Sequence, residues 1–262
     1  MIIASSTILE QAEEASAQAN YASAAQLYKQ ELVQREWEKG LHHHDLISIL
    51  TALGEIWQVQ AQFAAAETVY RRALLLCEQR YGPSAPQTIL VLGDVAGIRD
   101  ELEDDAQAEQ LYRQALLLTQ QVAPDGPDTA LAFSKLARFY RSRKRYSEAE
   151  PLYQQALAIY ERDPETQPAM MAISLNNFAV LYIETGRPAL AETLLRRAIK
   201  IRTLLSPTDH PALAVSLKNL GRAYQAQGDM VLAKLLFWRA FTIYEQKLGS
   251  DHPDTRALKD MV

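Results

Sequence analysis

The chain has 262 residues, 48% hydrophobic and 23% charged, with a formal net charge of -5. That composition is globular rather than disordered, and its acidic balance gives no reason to expect nucleic acid as a partner. A single cysteine, Cys77, excludes an intramolecular disulfide framework and suits a reducing compartment; the start MIIASSTILEQAEEASAQA has no basic leader-like region, and no run approaches the roughly 20 apolar residues of a membrane helix, so a soluble cytoplasmic chain is expected.

Read from the N-terminus, one helical string recurs six times. AAQLYKQELVQ begins at Ala24, AETVYRRALLL at Ala66, AEQLYRQALLL at Ala108, AEPLYQQALAI at Ala149, AETLLRRAIKI at Ala191 and AKLLFWRAFTI at Ala233, at offsets of 42, 42, 41, 42 and 42 residues. From the second copy on, an alanine follows seven residues later (Ala73, Ala115, Ala156, Ala198, Ala240). Seven residues are close to two helical turns, so each pair shares a face. Between them stands a large residue: Tyr70, Tyr112, Tyr153, Leu195 or Phe237. Small residues let a neighbouring helix approach, and the large one fills the space beside them. The first copy is degenerate, with Glu31 where the second alanine belongs, as befits a polar terminal cap.

Twelve residues upstream of each such string lies another small residue: Gly54, Ala96, Ala137, Ala179 or Gly221. Each unit therefore reads as a first helix, a turn and a second helix. The turns ETGRPAL and AQGDMVL carry glycines, Gly186 and Gly228, suited to positive φ. The linkers carry Pro86, Pro127, Pro168, Pro211 and Pro253 in one phase, and proline suits the first turn of the helix that follows. All five histidines fall in these linkers. His210 and His252 directly precede a proline, and His43 is their equivalent by repeat arithmetic. The conspicuous HHHD at 42–45 is thus read as a degenerate linker rather than a metal site, because neighbours on one loop rarely offer converging ligands. Neither metal nor cofactor is expected.

Nothing alternates with the period of a strand, and HEAT repeats lack this spacing of small residues. The spacing small–12–small–7–small resembles the tetratricopeptide repeat, in a long form with eight residues more than that family's usual unit. The strings SDHPDT (250–255), SLNNFAVLYIETG (174–186) and AEPLYQQALAI look like the repeats of kinesin light chains and their bacterial relatives. The resemblance covers essentially the whole chain, although the long heptad segment of a kinesin light chain is missing. It implies an all-α fold: a right-handed α-solenoid of six helix pairs at about 1–41, 42–84, 85–125, 126–166, 167–209 and 210–251, with a C-terminal capping helix at 252–262. It also implies that first helices line a concave groove.

Repeats four to six give that groove Lys135, Arg138 and Arg141, then Asn176 and Asn177, then Lys218, Asn219 and Arg222. In the resembled family, paired asparagines hold the main chain of an extended peptide and nearby cations select its acidic residues. Asn177, Asn176 and Asn219 match that motif; Thr51–Ala52 and Gly93–Asp94 in repeats two and three do not. Asparagine both donates and accepts, and arginine grips a carboxylate with two N–H groups. A carboxylate clamp for chaperone tails is not expected, because Ser134, Arg138, Asn177, Val215 and Asn219 occupy its places. The runs DELEDD (100–105) and RSRKR (141–145) read as solvated turns, with a dipolar groove as the sharper alternative.

No phosphate loop, nucleophile elbow or metalloprotease motif is present, Cys77 reads as a buried thiol, and Trp37, Trp57 and Trp238 read as core or inter-repeat residues. The expected function is non-enzymatic: a scaffold, monomeric or weakly self-associating, that binds an acidic protein segment and neither nucleic acid nor membrane. The alternative is an assembly component that pairs with itself through its ends or convex face.

Overall fold

The computed structural model of the chain describes residues 7–18, 20–205 and 210–262. Residues 1–6, where the leader was sought, and residue 209, at one repeat boundary, lie outside the described residues. Every regular element among the described residues is a helix. None of these helices is long and apolar enough to cross a membrane.

The chain divides into two compact units, Met1–Pro124 and Asp125–Val262. The first holds three hairpins: α1 (Ile8–Ala17) with α2 (Tyr21–Lys39), α3 (Leu46–Val59) with α4 (Phe63–Tyr81), and α5 (Pro86–Glu101) with α6 (Asp105–Val122). The second holds α7 (Pro127–Ser142) with α8 (Tyr146–Arg162), α9 (Pro168–Glu184) with α10 (Pro188–Leu205), and α11 (Pro211–Gln227) with α12 (Met230–Leu248), followed by α13 (Pro253–Lys259). Within each unit every helix packs on its chain neighbour, the packing of an α-solenoid. In the second unit the first helices also touch directly, α7 on α9 and α9 on α11.

The repeated small and large residues make these contacts. Ala66, Ala73, Ala108, Ala149, Ala191, Ala233 and Ala240 are fully buried, and Tyr70, Tyr112, Tyr153 and Phe237 are buried beside them. A Cβ on Gly54 would stand 2.5 Å from Tyr70 Cζ, and one on Gly221 2.5 Å from Phe237 Cε1, so both rings lie flush against helix backbone. Glu31, in an alanine's place, is 8% exposed and is met by Arg35 Nε at 2.6 Å.

Helix boundaries follow local chemistry. Pro86, Pro127, Pro168, Pro211 and Pro253 all open first helices. His210 Nδ1 accepts from the Ala212 N–H at 3.1 Å, and His252 Nδ1 from the Asp254 N–H at 3.2 Å. His43 Nδ1 accepts from the Asp45 N–H at 3.2 Å, the same bond at the equivalent place. The turn inside each of the last five hairpins uses a left-handed residue at one repeat position: Ala61 (φ 56°), Glu103 (59°), Lys144 (58°), Gly186 (71°) and Gly228 (88°).

Two expectations need correction. The last helix stops at Lys259 rather than running to 262; the Met261 N–H bonds back to the Leu258 carbonyl three residues earlier, which tightens the chain into a terminal turn. Trp37 and Trp238 are not core residues, being 91% and 59% exposed. Trp238 follows Phe237, which fills the core slot, and one helical step of about 100° turns the next side chain outward. Only Trp57 packs on the core, half-buried, with Lys29 Nζ 5.0 Å over its ring.

Candidate peptide-binding face

The first helices of the second unit bring α7, α9 and α11 side by side, and a hydrogen-bond ladder joins them. The Ser134 and Ser174 hydroxyls lie 2.9 Å apart between α7 and α9. Between α9 and α11, Asn176 Oδ1 accepts from Ser216 Oγ at 3.3 Å and from Asn219 Nδ2 at 3.2 Å. Ser134 and Asn176 are repeat equivalents, as are Ser174 and Ser216, so one rung recurs with different chemistry. Arg202 on α10 reinforces it by donating to Ser216 Oγ at 2.9 Å and to the Ala212 carbonyl. Burial pulls the Arg202 pKa below the ordinary arginine value, partly opposed by Tyr244.

The expected site residues fall into two groups. Asn176 and Asn219 are each 5% exposed and spend their amides on the ladder. Arg222 Nη1 adds a bond to Asn219 Oδ1 at 3.3 Å. Lys135, Arg138, Arg141, Asn177, Lys218 and Arg222 are half-buried along the same three helices. Arg141 Nη1 donates to Glu184 Oε1 at 2.6 Å, which ties α7 to α9. Lys218 Nζ sits 3.7 Å from Asp254 Oδ1 and 6.0 Å over the Tyr244 ring. Asn177 makes no side-chain hydrogen bond among the described residues. Beneath this face, burial pushes the Tyr153 hydroxyl up to about 12, against the pull of Arg141 and Arg138. The Tyr153 ring stacks on Phe178 at 5.3 Å.

The first unit places opposite charge at the same repeat positions. Glu55 stands where Arg138 and Arg222 stand, and Asp94 where Lys135, Asn177 and Asn219 stand. Burial and the Asp94 charge hold the Glu55 carboxyl above its ordinary value. The cationic face is thus a property of repeats four to six.

A family model for the tetratricopeptide repeat matches residues 45–120, 107–162 and 170–246, most of the chain. The chain belongs to the tetratricopeptide repeat family. Among solved structures, tetratricopeptide-like chains align over most of its length. BtubC (BKLC) from P. vanneervenii is 24% identical, covers 95% of each chain and gives a TM-score of 0.66. A putative kinesin light chain with nearly identical TPR-like repeats from Podosopora anserina is 21% identical over 78% of this chain and 97% of its own, with a TM-score of 0.60. A Rap protein complexed with Competence and Sporulation Factor is 16% identical over 97% of this chain and 73% of its own, with a TM-score of 0.68. No curated protein matches the sequence.

The remaining sequence candidates make contacts close to them in the chain. His43 and His44 stack at 4.4 Å, and the possible ligand atoms of His43, His44 and Asp45 lie within 4.8 Å of one another. His43 Nδ1, however, is engaged with the Asp45 N–H and the Asp45 carboxylate with Lys39. In the acidic run, Asp104 caps α6 through the Gln107 N–H at 3.2 Å and pairs with Arg99 at 3.3 Å. In the basic run, Arg145 grips Glu148 at 2.6 Å and covers the Tyr140 ring at 4.3 Å. Cys77 is buried in α4, and burial pushes its thiol up, away from nucleophile character. The serine rungs escaped sequence reading. Their only signal was the pairing of Ser134 with Ser174 and of Asn176 with Ser216, each 40 residues apart.

Proposed function

We propose that this tetratricopeptide repeat protein is an interaction scaffold that captures an extended, acidic segment of a partner on the α7–α9–α11 face. The observation that carries the reading is the row of half-buried Lys135, Arg138, Asn177, Lys218 and Arg222 on adjacent helices that a buried polar ladder holds in register. Half-burial lets a cation meet a carboxylate with less screening than on an open surface. Asn177 keeps its amide for a main chain, while Asn176 and Asn219 fix the helices that present it. The acidic residues at equivalent positions of the first unit, Glu55 and Asp94, confine such a site to repeats four to six.

The test is affinity capture from a lysate of the source organism by the wild type and by an Arg138→Glu, Lys218→Glu variant, read by mass spectrometry. The expected result is a partner held by the wild type, released by salt and absent from the variant, with circular dichroism of the two proteins alike. Equal retention of all partners by both proteins would overturn the reading.

A further inference from the structure

The repeat itself defines which positions of a second helix face solvent. Three such positions, four and three residues apart, are Ala64, Thr68 and Arg71 in α4 and Ala189, Thr193 and Arg196 in α10, all exposed. In α2, α6 and α8 the same exposed positions carry only alanine, serine, proline, glutamine or a cation. In α12 they are Val231, Leu235 and Trp238, which stay 81%, 61% and 59% exposed. The positions remain exposed in every repeat that has another repeat after it, so continuation of the array would not cover them.

We infer that the outer face of α12 is a second docking site, separate from the groove, for an amphipathic helix with acidic flanks. Spacings of four and three form the seam of a two-helix packing, and a strand or an extended segment does not match that period. Lys234 and Arg239 lie at the edges of the stripe, both exposed and neither ion-paired among the described residues. At those edge positions they select carboxylates on the incoming helix. A second copy of α12 fits poorly: in parallel register it sets Lys234 against Arg239, and it offers no carboxylate before Glu245. Single exposed apolar residues are ordinary on a surface, but a stripe that replaces three polar or small repeat positions marks an interaction site.

The probe is a synthetic helix of three heptads with leucine on its seam and glutamate on both flanks, whose own repulsion keeps it monomeric. It is titrated by calorimetry into the full chain, into a Val231→Ala, Leu235→Thr, Trp238→Arg variant, and into the Arg138→Glu, Lys218→Glu variant. The triple variant takes its residues from α4 and α10, so the fold is retained. Saturable binding is expected to the wild type and to the groove variant, weakened about tenfold or more in the triple variant and with lysine-flanked peptide. The inference is overturned by absence of saturable binding, by equal binding of both peptides, or by loss confined to the groove variant. A wild-type dimer in sedimentation that the triple variant dissolves would overturn it in favour of a second copy.

Discussion

Asn219 donates its side-chain amide to Asn176 Oδ1 across 3.2 Å, and both residues are 5% exposed. Removing Asn219 leaves the buried Asn176 Oδ1 with Ser216 alone and takes the Oδ1 acceptor from the Arg222 guanidinium. Asn219→Ala should therefore cost about 1–3 kcal/mol in urea unfolding. Asn177→Ala, one residue from Asn176 but without a side-chain bond to lose, should fall within about 0.5 kcal/mol of wild type while weakening partner capture. A large stability loss in Asn177→Ala would assign it to the packing instead.

The shared left-handed turn position gives a prediction of opposite signs. Lys144 (φ 58°) carries a side chain where Gly186 (φ 71°) does not. A left-handed residue with a Cβ is strained by about 1 kcal/mol. Lys144→Gly should raise the midpoint of thermal unfolding and Gly186→Ala should lower it. Movement of both in the same direction would remove strain as the explanation.

Gly221 and Phe237 touch so closely that a methyl group cannot enter without displacing the ring. Gly221→Ala should cost about 1–3 kcal/mol from overpacking, less the roughly 1 kcal/mol that alanine returns to a helix. The fifth repeat holds Ala179 with Leu195 at these two places. Adding Phe237→Leu to Gly221→Ala should then recover most of the loss, measured as a double-mutant cycle.

Glu150 accepts from Arg187 Nη1 at 3.0 Å and from Nη2 at 2.8 Å, and Arg187 lies 4.5 Å over the Tyr182 ring. The Arg187 hydrogen bonds hold the Glu150 carboxyl below its usual range. A depressed folded pKa stabilises fully above the unfolded carboxylate value of about 4.3 and ceases to do so as pH falls through the folded value. Arg187 is 38% exposed, so screening limits the pair to about 0.2–1 kcal/mol. Arg187→Gln should be less stable than wild type at neutral pH by that amount. The gap should narrow on acidification past the ordinary carboxylate range; a constant gap would assign the effect to packing on Tyr182.

The helix pairs were legible because the periodic small and large residues are the contacts themselves. The proline starts and the equivalence of His43 with His210 and His252 were legible for the same reason, since repeat arithmetic aligns residues that do one local job; the imidazole bonds themselves were not. The left-handed residue of the turn was legible only where glycine advertised it, at Gly186 and Gly228. Ala61, Glu103 and Lys144 take the same conformation with no compositional signal. At the candidate site the residue set was visible but its orientation was not. Asn176 and Asn177 differ by one helical step, and only the position of α11 decides that the first turns inward. Trp238 misled for a related reason, since an aromatic beside a core aromatic shares its neighbourhood but not its direction.

The buried rungs between first helices also bear on how such a chain reaches its native order. Each second helix resembles the others, so a folding chain meets several near-equivalent docking places, and misassembly is the characteristic failure of repeat proteins. An apolar contact tolerates the wrong neighbour. The Asn176 acceptor does not, because only α11 presents both Ser216 and Asn219 to it, while Ser174 is met by Ser134 of α7. An out-of-sequence stack leaves a buried amide unmatched at about 1–3 kcal/mol. The rungs thus favour the native order of repeats, because an out-of-sequence stack cannot satisfy them.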